Sequence, residues 1–238
     1  MTPVLILTRP AAQAEAFAAE IRALWAGSVR IILSPLLEIV PLTVSDDLSA
    51  VNGVIFTSGH GVAACATANL PSGLPAWCVG DKTAQLAAEA GFDAIAGPGD
   101  AARLVEKIIG RRPQGPLAHL RGRHTRGDVT EKLTSAGISC IDVVAYDQRA
   151  QSLSDEALNA LHGTVPVIMP LFSPRTATIL SEQGPFSAPV QLIVISTAVQ
   201  AAAAALRVKS VSVAATPDAA AMTVATLKRL SAVAEWVA

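Results

Sequence analysis

One unit recurs along this chain: a short apolar run, a turn carrying Ser, Thr, Gly or Arg, and an Ala-rich stretch with helical spacing. VLILTRP runs into AAQAEAFAAEIRAL, VNGVIFTSGHG into VAACATA, and AWCVGDK into TAQLAAEAG. PLAHLRGRHTRG runs into DVTEKLTSAG, VPVIMPLFSPR into TATILSEQG, QLIVIS into TAVQAAAAAL, and SVSVAATPD into AAAMTVATLKRL. Apolar strands alternating with helices build βαβ units, whose parallel sheets are covered on both faces. The predicted fold class is therefore α/β with parallel sheets. Composition supplies the matching core. Hydrophobic residues make up 51% and aromatics 4%, so the interior is packed with Ala, Val, Leu and Ile.

The arrangement of these units carries domain information. FTSGHGVAAC followed by WCVGDKTAQLA parallels FSPRTATIL followed by LIVISTAVQAA at nearly the same separation. Either the chain holds two similar α/β halves, or all such turns look alike. SPLLEIVPL (Ser34–Leu42) and VVAYDQRAQSLSD (Val143–Asp155) lack helical periodicity and read as connectors. Two crossings imply that one domain is inserted in the other. Residues 1–35 with 151–238 would form a discontinuous outer domain, and residues 38–147 the inserted one.

Several function classes are excluded early. With 16% charged residues and a mean hydropathy of +0.46, the chain is not a disordered one. Lys+Arg at 18 against Asp+Glu at 19 leaves −1, which draws it to neither nucleic acid nor an anionic membrane. The opening MTPVLILTRP has no basic segment and breaks polar too early for a signal peptide. Ala50–Gly80 and Gln183–Leu206 are charge-free and long enough to span a bilayer, but Gly, Pro and internal polar residues make both read as strand, turn and helix. Cys65, Cys78 and Cys140 form no C-x-x-C pair and read as reduced, structural thiols.

No familiar catalytic motif is present, and His60, His119, His124 and His162 are scattered. Gly97-Pro-Gly99-Asp-Ala-Ala102 matches a dinucleotide fingerprint in form. Pro98 lacks an N–H, however, and no acidic residue lies between Lys107 and Gly127 to hold a ribose, so Asp100 reads as a helix cap. What the chain does offer is turns suited to anions. Thr8-Arg9, Thr57-Ser58-Gly59, Gly80–Thr83, Ser173-Pro-Arg175, Ser196-Thr197 and Thr216 each stand between a strand's end and a helix start, where free N–H groups favour negative charge. Arg121-Gly-Arg123-His-Thr-Arg126-Gly adds a cationic loop. One at a time these residues only cap helices; as a set lining one cleft they would suit a ligand with many carboxylates.

The ordered set LTRP, SPLLEI, IFTSGHGV, VGDKTA, LRGR…RGD, VVAYDQR, FSPRTA and ISTAVQAA resembles the uroporphyrinogen-III synthase family over essentially the whole chain. The resemblance implies two α/β domains joined by a two-stranded connector. It implies an enzyme without metal or organic cofactor that takes linear hydroxymethylbilane and loses water from the hydroxymethyl carbon. The resulting azafulvene is attacked by the substituted position of ring D, and a spiro-pyrrolenine then fragments and recloses with that ring inverted. Without an enzyme the substrate closes through the unsubstituted position to isomer I, so orientation is the catalytic task. Eight carboxylates at about 1 kcal/mol per helix-terminus contact total about 8 kcal/mol, near micromolar affinity.

Carried over by motif, Tyr146, the only Tyr, is the expected catalytic residue, a protonated phenol assisting departure of the hydroxyl. Ser58, Gly59, Thr83, Ser173, Ser196 and Thr197 are the expected turn contacts, with Arg9, Arg121, Arg123 and Arg175 as carboxylate partners. GHG replaces the family's more usual Pro/Ala-Asn-Gly turn, and ISTAV lacks the Gly-Pro of some relatives. The family further implies a cytoplasmic monomer of heme and porphyrin biosynthesis that receives substrate from hydroxymethylbilane synthase. The rival readings are a non-catalytic two-domain binder of an anionic small molecule, a nucleotide enzyme using Gly97–Ala102, and an RNA-binding loop at Arg121–Gly127.

Overall fold

The computed structural model describes residues 2–68, 70–124 and 128–237. The chain divides into two compact units, Met1–Glu38 with Arg149–Ala238, and Ile39–Gln148. It passes between them inside β3 (Leu37–Pro41) and β8 (Cys140–Ala150), which are hydrogen-bonded neighbours. The segments read as connectors, Ser34–Leu42 and Val143–Asp155, thus hold these two strands in large part.

In the continuous unit, β4 (Gly53–Phe56), β5 (Pro75–Cys78), β6 (Asp93–Ala96), β7 (Leu117–Gly122) and β8 stand in the order β3-β8-β7-β4-β5-β6. The β4–β5, β4–β7, β5–β6 and β7–β8 pairs are all parallel. Helices α2 (Gly59–Ala64) and α3 (Asp81–Glu89) cover one face through Val62, Ala64, Ala84 and Ala87. Helices α4 (Ala101–Arg111) and α5 (Val129–Ser135) cover the other through Leu104, Val105, Ile108, Val129 and Leu133. Helix α4 has a clear apolar stripe, starts at Asp100, whose carboxylate accepts the Arg103 N–H, and stops at left-handed Arg112.

The discontinuous unit has β1 (Val4–Leu7), β2 (Arg30–Leu33), β9 (Val167–Leu171), β10 (Val190–Val194) and β11 (Ser210–Val213) in the order β11-β10-β9-β1-β2, all parallel. Helices α6 (Asp155–Leu161), α7 (Pro174–Glu182) and α8 (Thr197–Ala202) pack on one face, and α1 (Ala11–Leu24) and α9 (Ala219–Val237) on the other. Set side by side, β9-β10-β11 and β1-β2 occupy the places of β4-β5-β6 and β7-β8. The discontinuous unit is a circular permutation of the other, opened where α4 joins β6 to β7. That is the physical content of the likeness between FTSGHG and FSPRTA.

Among the described residues no helix is long and apolar enough to cross a membrane. The charge-free stretches fold as β4–α2–β5 and β10–α8.

Candidate active site

In an open parallel sheet the carboxyl ends of the strands leave a crevice where the winding direction reverses, and ligands collect there. In the continuous unit that point lies between β4 and β7. The Thr57-Ser58-Gly59-His60 turn leaves β4 there, and Arg121-Gly122-Arg123 ends β7. Tyr146 reaches the same place by an irregularity. β8 follows β7 in register up to Val144 opposite Arg121, then slips so that Tyr146 stands opposite Gly122. The extra residue, Ala145, turns Tyr146 onto the α2 face, whereas strict alternation would have left it beside Asp142 and Val144.

Tyr146 is 4% exposed and packs within the α2–α3 core. Burial pushes its phenol above the usual value, opposed by hydrogen bonding with the Ser58 side chain and the Gly122 backbone. It is therefore a protonated hydroxyl at neutral pH. Gly122 is open enough for the ring to lie against it, since a Cβ there would stand 2.7 Å from Tyr146 Cε2. The His60 ring lies 5.8 Å from the tyrosine ring, and Ser58 Oγ accepts the His60 N–H while capping α2. The fold thus brings Ser58, Gly59 and Tyr146 together. It adds Arg123, whose N–H donates to the Tyr146 carbonyl and whose guanidinium lies 3.8 Å from Asp147.

Other expected residues are engaged differently. Arg121 is clamped by Asp142, with Nε 2.7 and 2.8 Å from the two carboxylate oxygens and Nη2 on the same group. Thr83 is 7% exposed and lies on the buried side of α3. Arg126 lies outside the described residues. The Gly97–Ala102 glycines serve packing: Gly97 approaches the Cys78 carbonyl so closely that a Cβ would stand 2.5 Å from it, and the Gly99 N–H (φ 99°) bonds Val79 O. Burial pushes the Cys65 and Cys78 thiols up to about 11, leaving them inert.

The discontinuous unit reverses between β1 and β9. Arg9 follows β1 with its guanidinium 4.0 Å above the Phe172 ring at the end of β9, and an Nη bonds Gln13. Burial lowers its pKa, opposed by Glu20, and Arg9 Nε and Thr8 Oγ1 are buried without a hydrogen-bond partner among the described residues. Ser173 caps α7 by accepting the Thr176 N–H, its hydroxyl lies 2.8 Å from that of Thr176, and Arg175 follows in the first turn. Ser196 precedes α8 without a side-chain cap bond, and Thr197 is exposed beside it. At β11 the cap is Asp218, which accepts the Ala221 N–H, rather than Thr216.

Sequence reading passed over two residues that the fold brings to this edge: Gly122, on which the tyrosine lies, and His119. The available signal was the alternation of β7, which sets His119 and Arg121 on one face.

These features define a pair of doubly wound α/β units, each with hydroxyl and guanidinium groups at its reversal point. A family model described as uroporphyrinogen-III synthase HemD matches residues 15–224, and the chain belongs to that family. The uroporphyrinogen-III synthetase of Helicobacter pylori superposes with a TM-score of 0.69 at 16% identity, covering 96% of this chain and all of that one. A mutant uroporphyrinogen III synthase from the extremely thermophilic bacterium Thermus thermophilus gives 0.53 at 16% identity, covering 97% and 99%. No curated protein sequence matches. The activity that follows from the family is cyclisation of hydroxymethylbilane to uroporphyrinogen III, a cyclising lyase step of tetrapyrrole synthesis. A non-catalytic binder is not favoured.

Proposed function

We propose that Tyr146 assists loss of the hydroxyl from hydroxymethylbilane and that the carboxyl edge of each sheet grips carboxylates of the substrate. One observation supports this reading above others. The Tyr146 hydroxyl is buried, stays protonated, and meets the Ser58 side chain and the Gly122 backbone at the reversal point, so it is a placed proton donor. Donated to the departing hydroxyl, the phenol proton lets water leave as the pyrrole nitrogen pushes electrons towards the hydroxymethyl carbon, and the N–H proton released as the azafulvene forms restores the phenol. Ring D then attacks through its substituted carbon because the substrate is held so that this carbon is nearer. Arg9, Arg123, Arg175, Ser196 and Thr197, with backbone N–H groups at Ser58, Gly59, Thr83 and Ser173, are the proposed grips. Arg121, already forked onto Asp142, is left out of these grips. The enzyme is further proposed to act as a cytoplasmic monomer, taking its unstable substrate directly from hydroxymethylbilane synthase.

The test is an isomer assay. Purified protein given fresh hydroxymethylbilane should yield uroporphyrinogen III in proportion to enzyme added; isomer I alone, from folded protein, overturns the activity. Tyr146→Phe should retain the III product at about one tenth of the kcat, the worth of one hydrogen bond. An unchanged rate removes the phenol from the mechanism. Arg9→Ala should raise KM about tenfold with little change in kcat, since a carboxylate grip acts equally on ground and transition states. An unchanged KM would assign Arg9 to packing on Phe172 alone.

A further inference from the structure

On the α5 face of the continuous unit, away from Tyr146, lies the best-organised group of polar side chains that the mechanism leaves unused. His119, in the middle of β7, is 3% exposed. Its Nε2 is 3.2 Å from the Thr57 hydroxyl and its Nδ1 is 3.6 Å from Asp142. Asp142 also receives the Arg121 fork and, at 3.3 Å, the Thr130 hydroxyl from α5. A cavity of about 510 Å³ opens beside them, with Arg123, Asp128 and Glu131 in its wall.

Hydroxyl, imidazole and carboxylate stand in the order used to activate a nucleophile, but the chemistry here does not support that role. Burial holds the imidazole down to about 4, against the pull of Asp142, so it is a poor base at neutral pH. Asp142 is also already matched by Arg121. The neutral tautomer that carries its proton on Nδ1, towards the carboxylate, leaves Nε2 to accept from Thr57.

Two chains of contact leave Asp142 and meet at the tyrosine. One runs through His119 to Thr57, the residue before Ser58, whose side chain bonds Tyr146. The other runs through Arg121, whose Nη1 bonds the carbonyl of Gly122, the residue on which Tyr146 lies. We infer that His119 is a positioning residue: by accepting from Thr57 it sets the end of β4, and with it Ser58 against Tyr146, while Arg121 and Asp142 fix its tautomer and the opposite wall. The inference rests on the reading that places catalysis at Tyr146.

The experiment is a double-mutant cycle between Thr57→Val and Tyr146→Phe, with thermal unfolding measured for each variant. Thr57→Val should lower kcat about tenfold with KM within about twofold, and Thr57→Ser, which restores the hydroxyl, should recover the rate. On the Tyr146→Phe background the valine substitution should cost little more, because the group it positions is gone. Thr57→Ala serves the same cycle should the valine variant not fold. Losses that multiply, or a silent Thr57 beside an impaired Tyr146→Phe, overturn the positioning role alone. A silent Tyr146→Phe shows that the site itself is misplaced, and both readings then fall.

Discussion

Gly122→Ala is expected to lower kcat/KM about a hundredfold, more than removal of the Tyr146 hydroxyl itself. A Cβ at this position would stand 2.7 Å from Tyr146 Cε2, 2.8 Å from Cζ and 3.1 Å from the phenol oxygen. The ring cannot yield cheaply, because Tyr146 is buried in the α2–α3 core among Val143, Ala145 and Val62. It must move by much of an ångström. That not only takes its oxygen from Ser58 but also shifts the turn that orients the substrate, and misplacement on that scale costs about a hundredfold in rate. Overpacking adds about 2 kcal/mol of lost stability. Tyr146→Phe, by contrast, leaves the ring in place and removes one hydrogen bond. Measuring kcat/KM and unfolding for both variants decides whether the position of this side chain or its proton matters more. If Gly122→Ala retains nearly full activity, the site does not lie at the reversal point between β4 and β7.

Much of the fold was legible because its signals are local. An apolar run leading through a small-residue turn into an Ala-rich helix is read within about twenty residues, and the α/β class followed from it. The weaker elements left fainter signals for equally local reasons. β2 is only four residues, half-exposed, and separated from β3 by a few residues around Pro35. β6 is an edge strand with no buried position, so its apolar signal is faint. The two connectors allow residues 1–35 and 151–238 to share one domain. The permuted strand order, however, rests on pairing Val4 with Val167, which are far apart in sequence and leave no local signal.

The site divides in the same way. That Ser58, Ser173 and Ser196 begin helices at sheet edges is local information, and the motifs placed them there. That Ser58 and Ser173 already use their oxygens as caps, while Ser196 does not, depends on backbone geometry. The environment of Tyr146 depends on one inserted residue in β8, which no alternation pattern announces. Arg121 looked like a free cation because Asp142, its partner, is on the neighbouring strand. His119 looked like one scattered histidine among four for the same reason.

That buried histidine should also govern the acid stability of the protein. Its folded pKa is about 4 against an ordinary 6.5, chiefly because burial disfavours the charged ring. Between these values the unfolded chain binds a proton at this position that the folded chain does not. Stability is therefore fully present above about pH 6.5 and falls as the pH drops towards 4, by about 1.4 kcal/mol per unit and about 3 kcal/mol in all. Asp142 acts lower on the scale. Its pKa is depressed, mainly by the Arg121 hydrogen bonds, so its contribution is held through this window and lost only as the pH falls below the ordinary carboxylate value. Denaturant unfolding at several pH values from about 7.5 to about 4.5 should show the slope in the natural chain and a flatter curve in His119→Gln, which cannot titrate. The variant will begin less stable, because Asp142 and Thr57 lose a contact, yet the two curves should converge as the pH falls. If they run parallel, another group binds the proton, and His119 is not the buried neutral imidazole on which the positioning of Thr57 depends.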